Sequence, residues 1–271
     1  MLHRSFPPAR LAVAAAVLSL CASAGAKQLD VTVTVENLAQ TDSVSFAPLH
    51  LGFHNGTFDA FDLGQVATAP IISVAEGGSG IDWQPAFAAA DPTATRGTLG
   101  GLLQPGQTGS ATYRVDTTLN RYFTFATMVV PSNDFFIGND SAKAYELFDA
   151  QGNLQIGSIG QKARQIWDAG SEVFDPAAAA FVGNNDLRTP QGSVVAFNFA
   201  ELTGFNGLTT ATGYTFNSAL TADSDIYRIT FSATAVPEPG TYALMGAGLL
   251  AVGWLARRRR EQPLAARARS I

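Results

Sequence analysis

Hydrophobic and polar residues alternate along most of the middle of the chain. In the segment LDVTVTVENL, residues 29–38, hydrophobic and polar residues alternate at almost every position, which is typical of a strand with one buried face. Further strands are predicted over FAPLHLGFH, ATYRVDT, YFTFATMVV, AYELFD, SVVAFNFAEL and IYRITFSATAV, separated by turn-forming stretches such as AEGGSGIDW. Before the tail, only short helices are expected, near residues 58–66 or 87–90. The pattern predicts an all-β fold, an antiparallel β-sandwich over residues 27–235.

The first 26 residues have the order of a secretory signal peptide. Arg4 and Arg10 precede an apolar stretch from Leu11 to Cys21, and small residues follow at the expected cleavage site. The apolar stretch is short for a membrane span, which needs ~20 residues. Leu20 stands where a lipoprotein signal needs a small residue, so lipidation of Cys21 is not expected. We predict export by a Sec-type signal at residues 1–26.

The other end of the chain has three parts in a fixed order. Pro237, Glu238 and Pro239 are followed by an apolar helix predicted over residues 242–256, and then by the arginine cluster Arg257, Arg258, Arg259 and Arg260. This layout resembles the bacterial PEP-CTERM sorting signal, predicted at residues 236–260. The resemblance implies that residues 242–256 span the inner membrane transiently and that an exosortase cleaves near Pro-Glu-Pro. Residues 261–271 would be a cytoplasmic tail, because positive clusters stay inside.

Composition narrows the chemistry of the exported part. Charged residues make up 14% of the chain, well below the ~25% usual for soluble domains. The formal net charge is −5 although many arginines lie at the two ends, so the middle is acidic, and no nucleic-acid binding is expected. The single cysteine, Cys21, lies within the signal peptide, which excludes disulfides, thiolate metal sites and a cysteine nucleophile from the mature chain.

Two segments of the middle resemble the spondin domain family. MVVPSNDFFIGND, residues 128–140, is similar to a motif in which a strand ends in Pro-Ser-x-Asp, an aromatic pair and glycine. IWDAGSEVFD, residues 166–175, is similar to its partner motif, and FAPLHLGFHNGTFDAFDLGQ resembles the start of bacterial members. The resemblance implies a C2-like sandwich with Ca²⁺ bound by Asp134, Asp168 and Glu172. Glu172 stands where family members often have aspartate.

The residue types are compatible with the same three ligands. Calcium takes 6–8 oxygen ligands from carboxylates, carbonyls and water. Gly170, between Asp168 and Glu172, allows the loop to fold back so that both carboxylates face one point. Without a cation, three carboxylates at one place would repel each other. The alternative is that Asp134 and Asp168 only cap turns, and spacing alone does not exclude it.

Other patterns carry less chemistry. His50 and His54 are spaced to lie on one side of a strand and could bind zinc, but no third ligand is evident, so a structural role is expected. No Gly-x-Ser-x-Gly motif is present, and no third histidine lies in the exported part. The sequence therefore predicts a non-enzymatic, calcium-binding protein of the cell surface or matrix. Its predicted role is in adhesion or biofilm formation, and its predicted partners are exopolysaccharide or surface proteins. The alternatives are a carbohydrate-binding module, which a surface with exposed aromatics near Trp83 would favour, and a glycan hydrolase.

Overall fold

The computed structural model describes residues 27–236 and 239–260. These residues divide into two compact units, one ending at Thr234 and the other beginning at Ala235. The predicted signal peptide, residues 1–26, and the predicted cytoplasmic tail, residues 261–271, lie outside the described residues. Pro237 and Glu238 of the predicted sorting signal lie outside them as well.

The first unit is built on two antiparallel β-sheets, which confirms the predicted all-β sandwich at the level of fold class. The smaller sheet has the strand order β5–β1–β11–β8. Its strands are β1 Gln28–Asn37, β5 Thr108–Asp116, β8 Ser158–Lys162 and β11 Asp225–Ala235. The larger sheet has the order β10–β9–β7–β6–β3–β4, and β2 pairs with β6. Its strands are β2 Ser45–Phe46, β3 Leu49–His54, β4 Thr95–Leu99, β6 Tyr122–Val130, β7 Phe135–Gly138, β9 Trp167–Asp168 and β10 Ala196–Phe197.

The main core lies between the two sheets and follows from the period of two in the strands. In β1, Val31, Val33 and Val35 are buried while the residues between them are partly exposed. Phe123 and Phe125 of β6 belong to the same cluster of buried side chains. Burying each such side chain contributes about 1.5–3 kcal/mol relative to leaving it exposed. Alternation along the strands thus specifies which face of each sheet meets the other.

A helical layer covers the outer face of the larger sheet. Helix α1 spans Ala69–Gly77 and helix α2 spans Trp83–Ala90. Ile71, Val74 and Phe87 of these helices pack with Ala126 of β6 and Phe136 of β7. Strand β6 is therefore buried on both faces, which explains its continuous apolar run, since strands covered on both sides lose the alternation. Residues 87–90 are helical as expected, whereas residues 58–66 are not.

Irregular structure connects β9 to β11. Short 3₁₀ helices lie at Pro176–Ala178, Asn185–Leu187 and Phe199–Phe205, and another precedes β9 at Ala163–Gln165. The strand predicted over SVVAFNFAEL is thus reduced to β10, and AYELFD contributes only isolated bridges at Glu146 and Phe148.

The second unit contains helix α3, Pro239–Arg260. No helix within the described residues is long and apolar enough to cross a membrane. The prediction of a membrane-spanning helix at residues 242–256 is therefore not supported.

Candidate functional site

The loop after β6, residues 131–134, is held in a fixed turn. It begins with Pro131, whose peptide bond to Val130 is cis. Ser132 Oγ donates to the Val129 carbonyl at 2.6 Å and accepts from the Phe135 backbone N–H at 3.0 Å. Strand β7 then begins at Phe135. The turn thus places Asp134 directly before the start of β7, next to the core.

The two phenylalanines after Asp134 belong to two different layers. Phe135 is buried in the core between the sheets, and Phe136 is buried beneath the helical layer. Successive residues of a strand point to opposite faces. Since β7 lies between two apolar layers, two adjacent phenylalanines place one ring in each layer. Trp167 lies 6.4 Å from Phe136, ring to ring, on the helical side. These buried aromatics pack on both sides of β7, next to Asp134.

Asp134 joins the 131–134 loop to a second loop, residues 169–175. Its Oδ2 atom accepts hydrogen bonds from the Ser171 backbone N–H at 2.7 Å, the Ser171 hydroxyl at 3.1 Å and the Glu172 backbone N–H at 3.0 Å. Asn133 adds a reciprocal pair, accepting from the Asp175 N–H and donating to the Asp175 carbonyl. Asp134 therefore ties together segments about forty residues apart in the chain.

Gly170 makes the fold of the second loop possible. Its φ is +64°, a conformation that other residues rarely adopt, and a Cβ there would lie 2.9 Å from the Ser193 backbone. Its N–H donates to Asp168 Oδ1 at 2.7 Å, while Asp168 Oδ2 accepts from Asn198 Nδ2 at 3.0 Å. The loop folds back at this glycine, as predicted.

Glu172 meets a cation of the protein itself. Its Oε1 atom lies 3.2 Å from Arg188 Nη1, and Arg188 also donates to the Glu76 carbonyl. Within the described residues, Glu172 Oε2 and Arg188 Nε are buried without a hydrogen-bond partner. Burial raises the pKa of Glu172 to about 7. The charges of Glu76 and Asp134 add to this rise, whereas the charge of Arg188 opposes it.

The three predicted ligands line one small pocket. Asp134, Asp168 and Glu172 surround a volume of about 90 Å³, together with Asn133, Phe135, Phe174, Gln191 and Glu201. Sequence reasoning missed Glu201, which lies on the 3₁₀ helix Phe199–Phe205. No sequence motif marks Glu201. It lies shortly after β10 in the chain, and the pairing of β10 with β9 brings this segment to the pocket.

The electrostatics of the pocket centre on Asp134. Its side chain is only 2% exposed. Burial and the neighbouring charge of Asp168 raise the pKa of Asp134 to about 6, although its hydrogen bonds to Ser171 and Glu172 lower it. Within the described residues, no donor reaches its second oxygen, Oδ1. One carboxylate oxygen is thus saturated, and the other has no partner.

The same side chains do not form a ready metal cage. In the described parts of the chain, no three His, Cys, Asp or Glu side chains are grouped so as to hold a metal ion. The histidines are committed elsewhere: His50 contacts Thr98 Oγ1 and the Gly78 carbonyl, each at 3.0 Å. His54 contacts Thr124 Oγ1 and accepts from the Gly56 N–H. Both rings thus use both nitrogens, which agrees with the structural role expected for them.

The aromatics near Trp83, whose exposure would favour a carbohydrate-binding module, are buried. Trp83 is 0% exposed, and its ring packs 4.9 Å from Phe58 beneath the helical layer. Phe87, in the same segment, is buried as well. The segment GIDWQPAF leads into α2, which begins at Trp83, and its aromatics belong to the buried cluster beneath the helical layer. This segment cannot be a platform for a sugar ring.

Comparison with known proteins identifies the tail. Residues 235–260 match the PEP-CTERM protein-sorting motif. The motif indicates an exported protein that an exosortase sorts towards the cell surface. The match covers a small part of the chain and does not extend to the sandwich. Among curated proteins, a search with this chain finds no match.

Proposed function

We propose that this chain is an exported, non-enzymatic surface or matrix protein whose spondin-like sandwich binds a calcium ion between the 131–134 and 169–175 loops. The supporting observation is that Asp134, Asp168, Glu172 and Glu201 all line one pocket. Burial penalises each carboxylate charge, and within the described residues only Glu172 has an ion pair, with Arg188, so a bound cation would balance the others.

Asp134 and Asp168 are the first two ligands in this proposal. Asp134 offers Oδ1, the oxygen that no N–H or O–H of the described residues reaches, while Oδ2 holds the second loop in place. The raised pKa of Asp134 supports the proposal, because a nearby cation would relieve the repulsion from Asp168. Hydrogen bonds from Gly170 and Asn198 orient the Asp168 carboxylate.

A third carboxylate completes the site by moving. Glu172 is bound to Arg188, so it reaches the ion only by giving up that ion pair. Glu201 is the other candidate, because it lines the same pocket and makes no hydrogen bond or ion pair within the described residues. Calcium tolerates irregular coordination completed by carbonyls and water, so a site that forms on binding suits it.

Calcium titration tests the proposal. The full chain is stripped with chelator and titrated with CaCl₂ by calorimetry, while thermal unfolding is followed in parallel. A ligand of the folded state stabilises it by ~2.7 kcal/mol at a hundredfold excess over its dissociation constant. Asp168→Asn should abolish both the heat and the shift, while Asp186→Asn, which changes an exposed aspartate outside the pocket, should leave them unchanged.

Two further variants identify the third ligand. Glu172→Gln weakens binding if that side chain leaves Arg188 for the ion, and Glu201→Gln weakens it if the 3₁₀ helix supplies the ligand. If calcium gives neither heat nor stabilisation, or if Asp168→Asn binds as well as the wild type, the proposal is wrong. Asp134 would then serve only to tie the two loops together.

A further inference from the structure

An aromatic pair at the edge of the larger sheet is exposed on one side. Phe197 of β10 stacks on Trp167 of β9, with ring centroids 3.8 Å apart and ring planes 25° apart. Trp167 is itself buried and fixed, since its indole N–H donates to the Gly138 carbonyl at 3.1 Å. Phe197 remains 50% exposed. A large flat ring is thus held at the surface in one orientation.

The ring borders a pocket whose other walls combine polar and apolar residues. The pocket has a volume of about 260 Å³ and is lined by Asp140, Tyr145, Gln161, Gln165 and Leu63, among others. Tyr145 Oη accepts from Gln161 Nε2, which leaves its own O–H free to donate. Gln165 Oε1 accepts from the Lys162 N–H, which leaves the side-chain amide nitrogen available. Within the described residues, the Asp140 carboxylate makes no hydrogen bond or ion pair.

We propose that this pocket binds a neutral saccharide. A sugar ring has an apolar C–H face, which packs on an aromatic ring, and a rim of hydroxyls, which need both donors and acceptors. Phe197 provides the ring, while Tyr145 and Gln165 provide donors and Asp140 provides an acceptor. A purely apolar partner would leave these polar groups without hydrogen bonds, which is costly. The sorting motif directs the chain to the cell surface, where glycans are abundant.

The local charge selects neutral sugars over acidic ones. Asp140 lines the pocket, and its charge is felt at the nearby carboxylate of Asp59. Among the described residues that line the pocket there is no lysine or arginine. A uronate or sulfated sugar would therefore meet like charge, while a hexose with free hydroxyls would not.

Saccharide binding does not depend on the proposed calcium site. Trp167 and Asp168 are successive residues of β9 and point to opposite faces, so the aromatic pair and the carboxylates lie on different sides of the sheet. The saccharide test can accordingly be run in chelator, and its outcome is separate from that of the calcium titration.

Affinity electrophoresis of the purified full chain provides the test. Native gels contain soluble β-glucan, mannan or galactan as neutral polysaccharides, polygalacturonate as the acidic counterpart, and EDTA throughout. We expect at least one neutral polysaccharide to retard the protein, and polygalacturonate to have no effect. Phe197→Ala should weaken the retardation at least about tenfold, and Phe197→Tyr should preserve it.

The matched control is Phe181→Ala. Phe181 is 54% exposed, like Phe197, but lines a different pocket, so its removal should leave retardation unchanged. Asp140→Ala should weaken binding without touching the aromatic pair, and the unfolding midpoint of each variant checks its fold. Lack of retardation by every neutral polysaccharide overturns the inference. So does a folded Phe197→Ala protein that is retarded like the wild type, or an equal loss in Phe181→Ala.

Discussion

Asp134 shows how a single carboxylate can join loops that are distant in the chain. Oδ2 satisfies two backbone N–H groups and one hydroxyl of the 169–175 loop. Each buried N–H left without a partner would cost about 1–3 kcal/mol, so this oxygen has a structural role whatever the pocket binds. Oδ1 accepts no hydrogen bond from the part of the chain that the structure describes, and it is the atom for which a cation is proposed. Asp134 can therefore hold the two loops together through Oδ2 and bind a metal ion through Oδ1.

His54 should make the protein sensitive to acid. The buried ring accepts the Gly56 N–H at Nδ1, so it has no room for a second proton there. Burial lowers the pKa of His54 from 6.5 to about 4, although the charge of Asp91 opposes the shift. Because the pKa of His54 is lower in the folded state than in the unfolded state, the contribution of the neutral ring to the free energy of unfolding is complete above pH 6.5. This contribution is lost as the pH falls towards 4. The loss reaches about 3 kcal/mol at most.

Urea unfolding of the wild type and His54→Gln at several pH values between 7.5 and 4.5 checks this prediction. Glutamine has no titratable group, so the difference between the two proteins isolates the histidine from the carboxylates that titrate in the same range. The wild type should lose stability relative to the variant as the pH falls. A difference that stays constant with pH would show that the ring is protonated as easily in the folded chain as in the unfolded one.

The candidate site could be read from the sequence only in part. Asp134, Asp168 and Glu172 line one pocket, and Gly170 folds the loop as expected. The ion pair of Glu172 with Arg188 could not be foreseen, because Arg188 lies in an irregular segment that no pattern connects to the loop. Glu201 was missed for a similar reason.

Strand patterns predicted the sheets better than the helices. Strands β1, β6 and β11 lie where alternation or a long apolar run indicated them. Helix α1, over APIISVAEG, is nearly apolar on all sides and only nine residues long, so it has no clear polar face to reveal it. Strand β4, over TRGTL, lacks the apolar residues by which strands are recognised. Elements that depend on tertiary packing are those the pattern missed.

The contact between α2 and the larger sheet should depend on Gly52 of β3. A Cβ at this position would lie 2.2 Å from Phe87 Cζ, so alanine forces the ring or the helix to move. We expect Gly52→Ala to lower the free energy of unfolding by about 1–3 kcal/mol, as overpacking usually does. In that background Phe87→Leu should cost less than it does in the wild type, because it removes the clash.

Urea unfolding of the two single variants and the double variant measures this coupling. Gly160→Ala in β8 is the matched control, since a Cβ there meets nothing within 4 Å. Its effect should stay within about 0.5 kcal/mol. Strictly additive effects of Gly52→Ala and Phe87→Leu would contradict the proposed clash.

At the scale of the whole molecule, the folded sandwich and the sorting signal occupy different parts of the chain. The unit that ends at Thr234 has its own two-sheet core, and the sorting motif occupies residues 235–260 in the second unit. Changes to the motif should therefore alter where the protein goes and leave the stability of the sandwich unchanged. This separation allows the sorting signal to be tested without unfolding the protein.

Replacement of Pro237, Glu238 and Pro239 by alanine should block processing by the exosortase in the native host. The intact mass of the wild-type surface protein should show that the tail has been removed, whereas the triple variant should retain it, because the matched motif is broken. Arg267→Ala with Arg269→Ala is the control, since both positions lie beyond the matched residues and processing should continue. The unfolding midpoint of the sandwich should be the same in all three proteins. A triple variant that is trimmed normally would mean that Pro-Glu-Pro is not what the exosortase recognises in this chain.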